Sequence, residues 1–94
     1  MEAHTMNQAK VVVYGADWCG YCQRARALLE RKGVSYEDID VDIVPDARAQ
    51  MQARSGRTSI PQIFIDGAHI GGCDELHALE ADGRLDTLLK PTES

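Results

Sequence analysis

Residues 10–22, Lys-Val-Val-Val-Tyr-Gly-Ala-Asp-Trp-Cys-Gly-Tyr-Cys, decide the fold. The run begins with valines at positions 11–13 and ends at Gly15, which predicts a strand buried on both faces. A short loop follows, and Cys19 and Cys22 then stand where an amphipathic segment begins. The stretch therefore predicts a central strand, a loop and the start of a helix, with two cysteines at the junction.

The segments on either side complete a β-α-β unit. An amphipathic helix is predicted from residues that recur at helical spacing, namely Tyr21, Ala25, Leu28 and Lys32, and Gly33 is well placed to end it. A second strand is predicted between Val34 and Val41, although its alternation of apolar and polar residues is irregular. Because a helix separates the two strands, we expect them to be parallel.

The remaining chain adds a helix, a hairpin and two further helical segments. Pro45 opens the helix and Gly56 closes it. Residues 60–65 and 68–70 read as antiparallel strands joined by Asp66-Gly67, a pair suited to a turn with positive φ. Leucines on either side of Gly83 predict a helix and a short final helix. The order β-α-β-α-β-β-α plus a short helix predicts an α/β fold.

Length and composition limit the possible classes of protein. The chain has 94 residues, 44% of them hydrophobic, which is enough for one domain over residues 1–94. We expect flexible tails at 1–9 and 91–94.

A formal net charge of −5 argues against nucleic acid as a partner. No segment suits a membrane span or a secretion signal, so we expect a cytoplasmic protein. Three cysteines are too few for a disulfide-stapled secreted domain, which favours a chemical role for the thiols.

The Cys19-Gly20-Tyr21-Cys22 motif carries the predicted chemistry. At a helix start, free backbone N–H groups and the helix dipole stabilise a thiolate at Cys19, which makes it the attacking sulfur. Cys22 lies one turn further into the helix and can attack a mixed disulfide at Cys19 from inside. We therefore predict a nucleophile at Cys19 and a resolving cysteine at Cys22.

Two other interpretations of the cysteines remain open at this point. A structural disulfide between Cys19 and Cys22 is the first, although cytosolic disulfides are usually catalytic or transient. A zinc site is the second, with Cys19, Cys22, Cys73 and His77 as possible ligands. The long intervening segment already forms a complete fold, which disfavours zinc.

Three blocks of sequence, in this order and spacing, resemble the glutaredoxins of the thioredoxin superfamily, and most closely the bacterial glutaredoxin-3-like group. The blocks are Trp18 to Cys22, Ser55 to Ile65 and Gly71 to Leu76. The similarity spans roughly Lys10 to Lys90. It implies a thioredoxin-like fold with a central four-stranded mixed sheet flanked by helices.

The resemblance also implies a glutathione site. The Ile60-Pro61 bond is expected to be cis, so that the backbone of Ile60 can pair with the cysteinyl unit of glutathione. At the segment from Gly72, the N–H groups of Cys73 and Asp74 would hold the γ-glutamyl carboxylate, and the Asp74 side chain would accept from the ammonium group.

Other members of the predicted site are assigned more loosely. Tyr21 is expected to face outward and pack against glutathione. Arg57 and Gln50 are candidates for the glycine carboxylate, and Cys73 is read as a small residue next to the ligand rather than a redox cysteine. The full predicted glutathione set is Tyr21, Arg57, Ser59, Ile60, Pro61, Gly72, Cys73 and Asp74.

The resemblance implies a glutathione-dependent thiol–disulfide oxidoreductase that reduces glutathionylated proteins and small disulfides. Two departures open alternatives. Ala16 stands where many relatives have lysine, so the positive field must come from elsewhere. Gly20 replaces the usual proline, which permits a 2Fe-2S cluster held between two protomers by Cys19 and bound glutathione. Trp18 and Gly20 also suggest a thioredoxin-like reductant. We expect a monomer, or a dimer if a cluster forms.

Overall fold

The valine run forms one of the two inner strands of a sheet in the computed structural model, which describes residues 9–89. The elements in chain order are β1 (Val11–Gly15), α1 (Gly20–Arg31), β2 (Glu37–Asp40), α2 (Ala47–Ser55), β3 (Gln62–Ile65), β4 (Ala68–Gly71), α3 (Cys73–Ala81) and α4 (Leu85–Leu89). Within residues 9–89, none of these helices is long and apolar enough to cross a membrane.

The sheet has four strands in the order β2-β1-β3-β4. Strand β1 runs parallel to β2, with Tyr14 opposite Ile39, and antiparallel to β3, with Val13 opposite Ile63. Strands β3 and β4 are antiparallel and joined through Asp66 and Gly67, whose φ values of 52° and 84° are both positive. The predicted mixed sheet, parallel β-α-β unit and hairpin turn are confirmed.

Helices cover both faces of the sheet, which explains why all five residues of β1 are buried. Helices α1, α3 and α4 pack on one face, and α2 packs on the other. The first core contains Val11, Val13, Ala25, Leu28, Leu29, Ile63, Ile65, Leu76, Leu85 and Leu89 among others. The second contains Val12, Tyr14, Val41, Ala47, Met51 and Phe64. These two cores fix β1 and the loop that follows it.

The structure refines two boundaries. Strand β2 covers only residues 37–40, because Val34 and Tyr36 precede it and pack against the first core instead. Ala9, assigned to the amino-terminal tail, is buried, and its N–H donates to the Leu89 carbonyl at 3.1 Å. Ala9 therefore belongs to the folded domain, and the rest of both predicted tails, residues 1–8 and 91–94, lies outside the described residues.

Candidate active site

Cys19 is the residue that caps the amino terminus of α1. Its backbone is extended, with φ −86° and ψ 114°, and its N–H donates to the Ala16 carbonyl at 3.3 Å. This conformation lets the Cys19 sulfur accept the N–H of Cys22 at 3.2 Å. One of the unpaired N–H groups at the helix start thus points at the sulfur, where it stabilises negative charge.

The two cysteines differ in access to solvent. Cys22 is 0% exposed and Cys19 is 6% exposed. Burial, reinforced by the hydrogen bond with Cys19, raises the pKa of Cys22 to about 12. At neutral pH Cys22 is therefore an inward-facing thiol, whereas Cys19 lies nearer the surface.

The loop before β3 meets Cys19 from the side. The Ile60-Pro61 bond is cis, as the resemblance predicts. The Ile60 carbonyl accepts from the Cys19 thiol at 3.9 Å, and the Ile60 side chain packs against the buried cluster of Ala16, Cys19 and Cys22. The backbone of Ile60 therefore adjoins the sulfur that a substrate has to reach.

An open cleft of about 230 Å³ lies beside this loop. All eight residues of the predicted glutathione set line it: Tyr21, Arg57, Ser59, Ile60, Pro61, Gly72, Cys73 and Asp74. The fold thus brings together three separated stretches of the chain. Gln62 and Glu75 also line the cleft, although neither belongs to the predicted glutathione set.

Glu75 organises the amino terminus of α3. Its Oε1 accepts the N–H of Gly72 at 2.7 Å, and its Oε2 lies 3.5 Å from Nη1 of Arg57. The hydrogen bond from Gly72 is the main reason why the pKa of Glu75 is lowered. The N–H groups of Cys73 and Asp74 open the helix and have no intrahelical acceptor, so this end of the cleft suits an anion.

Gln62 connects the cleft wall to the edge strand. This side chain is 0% exposed, and its Nε2 donates to the Ser59 carbonyl at 3.0 Å. Its Oε1 lies 2.7 Å from Nε2 of His69, which therefore acts as the donor. A glutamine in a strand is usually expected at the surface. The one sequence feature that indicated burial was the position of Gln62 between Pro61 and the apolar run of residues 63–65.

Cys73 is a buried cleft residue, as predicted, and burial is the main cause that raises its pKa. Nδ1 of His77 lies 2.9 Å from the Cys73 carbonyl and 3.4 Å from the Cys73 sulfur. Within residues 9–89, no three histidine, cysteine, aspartate or glutamate side chains are grouped to hold a metal ion. The zinc set considered from the sequence therefore does not assemble.

Two exposed aromatic residues flank Cys19. Trp18 is 70% exposed, and its Nε1 donates to Oδ2 of Asp42 at 2.7 Å. Tyr21 is 59% exposed, with the Arg24 guanidinium 5.6 Å from its ring centre. The outward orientation expected of Tyr21 is confirmed, and both rings are available to a substrate that approaches Cys19.

Gln50, the loosely assigned candidate, lies elsewhere. It lines a separate cleft with Arg54 and with Tyr14 and Phe64 of the second core. Gln50 does not line the cleft that Arg57 lines. The structure therefore does not bring Gln50 together with the predicted glutathione set.

Comparison with known proteins agrees with this geometry. The profile of the Glutaredoxin family matches residues 11–70. The chain belongs to the glutaredoxin family. It is 55% identical over 82 residues to Glutaredoxin 3 of Escherichia coli (strain K12), which covers 87% of this chain and 99% of that protein. It is 52% identical over 79 residues to Glutaredoxin of Pseudomonas aeruginosa, covering 84% and 94%.

Solved structures show the same glutaredoxin fold. The crystal structure of a buckwheat glutaredoxin–glutathione complex has a TM-score of 0.80 and 34% identity, covering 86% of this chain and 76% of the other. The solution structure of a Brucella melitensis glutaredoxin has a TM-score of 0.79 and 50% identity, covering 94% and 96%. The thioredoxin-like fold is therefore shown, and this glutaredoxin is a glutathione-dependent thiol–disulfide oxidoreductase.

Proposed function

We propose that this chain reduces glutathione mixed disulfides of proteins and small molecules, with Cys19 as the attacking sulfur. The position of Cys19 carries the proposal: its sulfur accepts a helix N–H and adjoins the Ile60 carbonyl beside the cleft. The Cys19 thiolate attacks the glutathione sulfur, and the substrate leaves as a thiolate that takes up a proton. A second glutathione then attacks the Cys19 adduct, which releases oxidised glutathione and restores Cys19.

The cleft supports a defined orientation of glutathione. Asp74 and the helix start offer partners for the γ-glutamyl ammonium and carboxylate groups, and Arg57 offers one for the glycine carboxylate. The Ile60 backbone then pairs with the central cysteinyl unit, which holds its sulfur in line with Cys19. The buckwheat relative was crystallised as a glutathione complex, which supports the same ligand here.

The inward position of Cys22 supports its role as the resolving thiol for disulfide substrates. We expect Cys19→Ser to abolish turnover of a glutathione mixed disulfide, measured through oxidised glutathione and its reductase. Cys22→Ser is expected to keep this monothiol turnover but to lose the reduction of protein disulfides that needs both sulfurs. Equal loss in both variants, or equal turnover with a thioredoxin reductase as electron source, would contradict the proposal.

Mapping the adduct tests the assignment of the nucleophile directly. After brief exposure of Cys22→Ser protein to oxidised glutathione, peptide mass spectrometry is expected to find glutathione on Cys19. An adduct on the buried Cys73 instead would move the reactive centre to the start of α3 and refute the assignment.

We propose a second state in which Cys19 ligates a 2Fe-2S cluster. Such a cluster needs four thiolates, which two protomers supply when each gives Cys19 and one bound glutathione. A Cβ at Gly20 would meet no atom within 4 Å, so the start of α1 next to Cys19 is not crowded. Solved relatives include a holo form of poplar glutaredoxin C1 at 31% identity and one described under metal binding of glutaredoxins at 49%.

Anaerobic reconstitution with iron, sulfide and glutathione tests the cluster. We expect visible absorption, a dimer by size exclusion and dependence on Cys19, with no dependence on Cys22, which faces inward. A colourless monomer after reconstitution would refute this state and leave the oxidoreductase activity untouched.

We propose that the protein works as a monomer in the cytoplasm on glutathionylated partners. A dithiol site that takes electrons from glutathione suits a reducing compartment. The exposed Trp18 and Tyr21 give partners a surface next to Cys19. Cell fractionation, and trapping of partners by the Cys22→Ser variant, test this placement; a signal confined to membranes or the medium would contradict it.

A further inference from the structure

A charged side chain lies beneath the cysteine pair, on the side away from the glutathione cleft. Arg26 follows Cys22 by one turn of α1, and its side chain is only 14% exposed. Its Nη2 donates to the Ala16 carbonyl at 3.3 Å, and its Nε lies 3.2 Å from Asp38 on β2. Arg26 therefore supplies positive charge close to the position where Ala16 replaces the lysine of many relatives.

The close approach of Arg26 to Cys22 depends on Gly15. A Cβ built on Gly15 would lie 2.8 Å from the Cys22 sulfur and 3.2 Å from Nη2 of Arg26. The sulfur and the guanidinium thus border the same small space, which a side chain at position 15 would fill. Because Cys22 is fully buried and the Arg26 side chain is mostly buried, water screens the interaction between the two groups only weakly.

Electrostatics around these groups agree with the geometry. Burial is the main cause that raises the pKa of Cys22, whereas Arg26 and the backbone of Ala16 act in the opposite direction. Burial disfavours the charge of Arg26, but the Asp38 carboxylate outweighs burial and raises the pKa of Arg26 overall. Asp38 keeps the cation in place and also neutralises part of its field.

We propose that Arg26 is a positioning residue for the dithiol step, in which its charge favours the Cys22 thiolate while Asp38 limits that effect. The proposal rests on the resolving role of Cys22. In this step the Cys22 thiol loses its proton and attacks Cys19 of the glutathione adduct. The Cys19–glutathione bond breaks, the Cys19–Cys22 bond forms, and glutathione leaves as a thiolate that takes up a proton. In the reverse step glutathione attacks Cys19 and Cys22 leaves as the thiolate.

The test follows the adduct over time. Reduced protein is mixed with oxidised glutathione, quenched with acid and analysed by mass spectrometry, which separates the adduct from the intramolecular disulfide. We expect Arg26→Gln to slow loss of glutathione from the adduct by about three- to tenfold, since fewer Cys22 sulfurs are ionised but each is more nucleophilic. Arg26→Lys should recover most of the rate, and Asp38→Asn should increase it.

Two readouts distinguish this role from a structural one. Since the disulfide and the neutral thiol carry no charge, Arg26→Gln should slow the forward and reverse steps equally and leave their equilibrium unchanged at neutral pH. In a Cys22→Ser background, Arg26→Gln should change monothiol exchange by less than about twofold, because no Cys22 thiolate forms. Arg31→Gln removes an exposed arginine from the same helix and serves as the matched control.

Each contrary result has a distinct meaning. The role of Arg26 would be overturned if Arg26→Gln left the rate of glutathione loss from the adduct unchanged, or if Arg31→Gln slowed it equally. It would also be overturned if Arg26→Gln slowed monothiol exchange as much as it slowed the loss of glutathione. If Arg26→Gln does not fold, an Asp38→Asn variant that resolves no faster than wild type overturns the proposal. Wild-type protein that never converts its adduct to the disulfide would instead refute the resolving role of Cys22.

Discussion

Replacement of Gly15 by alanine should destabilise the protein through one added methyl group. The new Cβ would lie 2.8 Å from the Cys22 sulfur, a separation that real Cβ atoms essentially never show. Gly15 ends a buried strand, and both neighbours of the methyl group belong to α1, so relief requires a shift of packed atoms. Overpacking of this kind costs about 1–3 kcal/mol. We expect the free energy of unfolding to fall by that amount.

Gly20→Ala is the matched control. Gly20 begins α1, and a Cβ there meets no atom within 4 Å. Alanine at such a position reduces the conformational entropy of the unfolded chain and stabilises the fold by about 0.4–1 kcal/mol. The same substitution should therefore have opposite signs at positions 15 and 20.

Urea unfolding of the reduced proteins, followed by circular dichroism, measures both effects. A double-mutant cycle with Cys22→Ala locates the clash, because alanine removes the sulfur that the new methyl group would meet. We expect a coupling of more than about 0.5 kcal/mol between positions 15 and 22. A Gly15→Ala variant as stable as wild type, or strictly additive effects in the cycle, would refute the reasoning.

Three further changes test individual groups. The pKa of Cys22, about 12, exceeds its ordinary value of 9.0, so the unfolded chain loses this proton first and the free energy of unfolding should fall as pH rises from about 9 towards 12. Cys22→Ala should flatten this pH dependence, measured by urea unfolding at several pH values. An unchanged pH dependence would contradict the burial argument. The hydrogen bond from the N–H of Gly72 lowers the pKa of Glu75 below its ordinary value of 4.5. It therefore stabilises the folded protein above pH 4.5, and this stabilisation is lost as the pH falls through the lowered pKa. Glu75→Gln should weaken the acid dependence of stability and cost at most about 1 kcal/mol at pH 7, and an unchanged acid dependence would argue against the contact. Gln62→Leu leaves His69 without its buried acceptor and should lower the free energy of unfolding by about 1–3 kcal/mol. It should also raise KM for a glutathione mixed disulfide more than it lowers kcat. A variant as stable as wild type would contradict the structural role of this hydrogen bond.

Local patterns predicted the features that depend on neighbours in the chain. The valine run, the Asp66-Gly67 turn and the cysteines at a helix start each follow from residue type and short spacing. The apolar face of α1 was less predictable: Tyr21 fits the helical spacing but is exposed, whereas Cys22 and Leu29 are buried. Which face turns inward depends on where the strands lie, and spacing within one helix does not specify that.

Two contacts between distant parts of the chain were beyond sequence reasoning. Arg26 and Asp38 belong to a helix and an edge strand that meet only once β1 and β2 pair. Gln62 is a polar residue whose burial depends on Ser59 and on His69 across the hairpin. In both cases the contacting residue comes from a distant part of the chain, so composition and periodicity do not identify it.

Trp18 gives the molecule an optical reporter at its reaction centre. It is the only tryptophan in the sequence, it directly precedes Cys19, and Asp42 holds its indole N–H. Selective excitation of indole therefore samples the loop before the nucleophile and no other tryptophan. We expect its emission to change when Cys19 forms a covalent adduct, which would allow the reaction to be followed in real time without a dye and without a change to the chain.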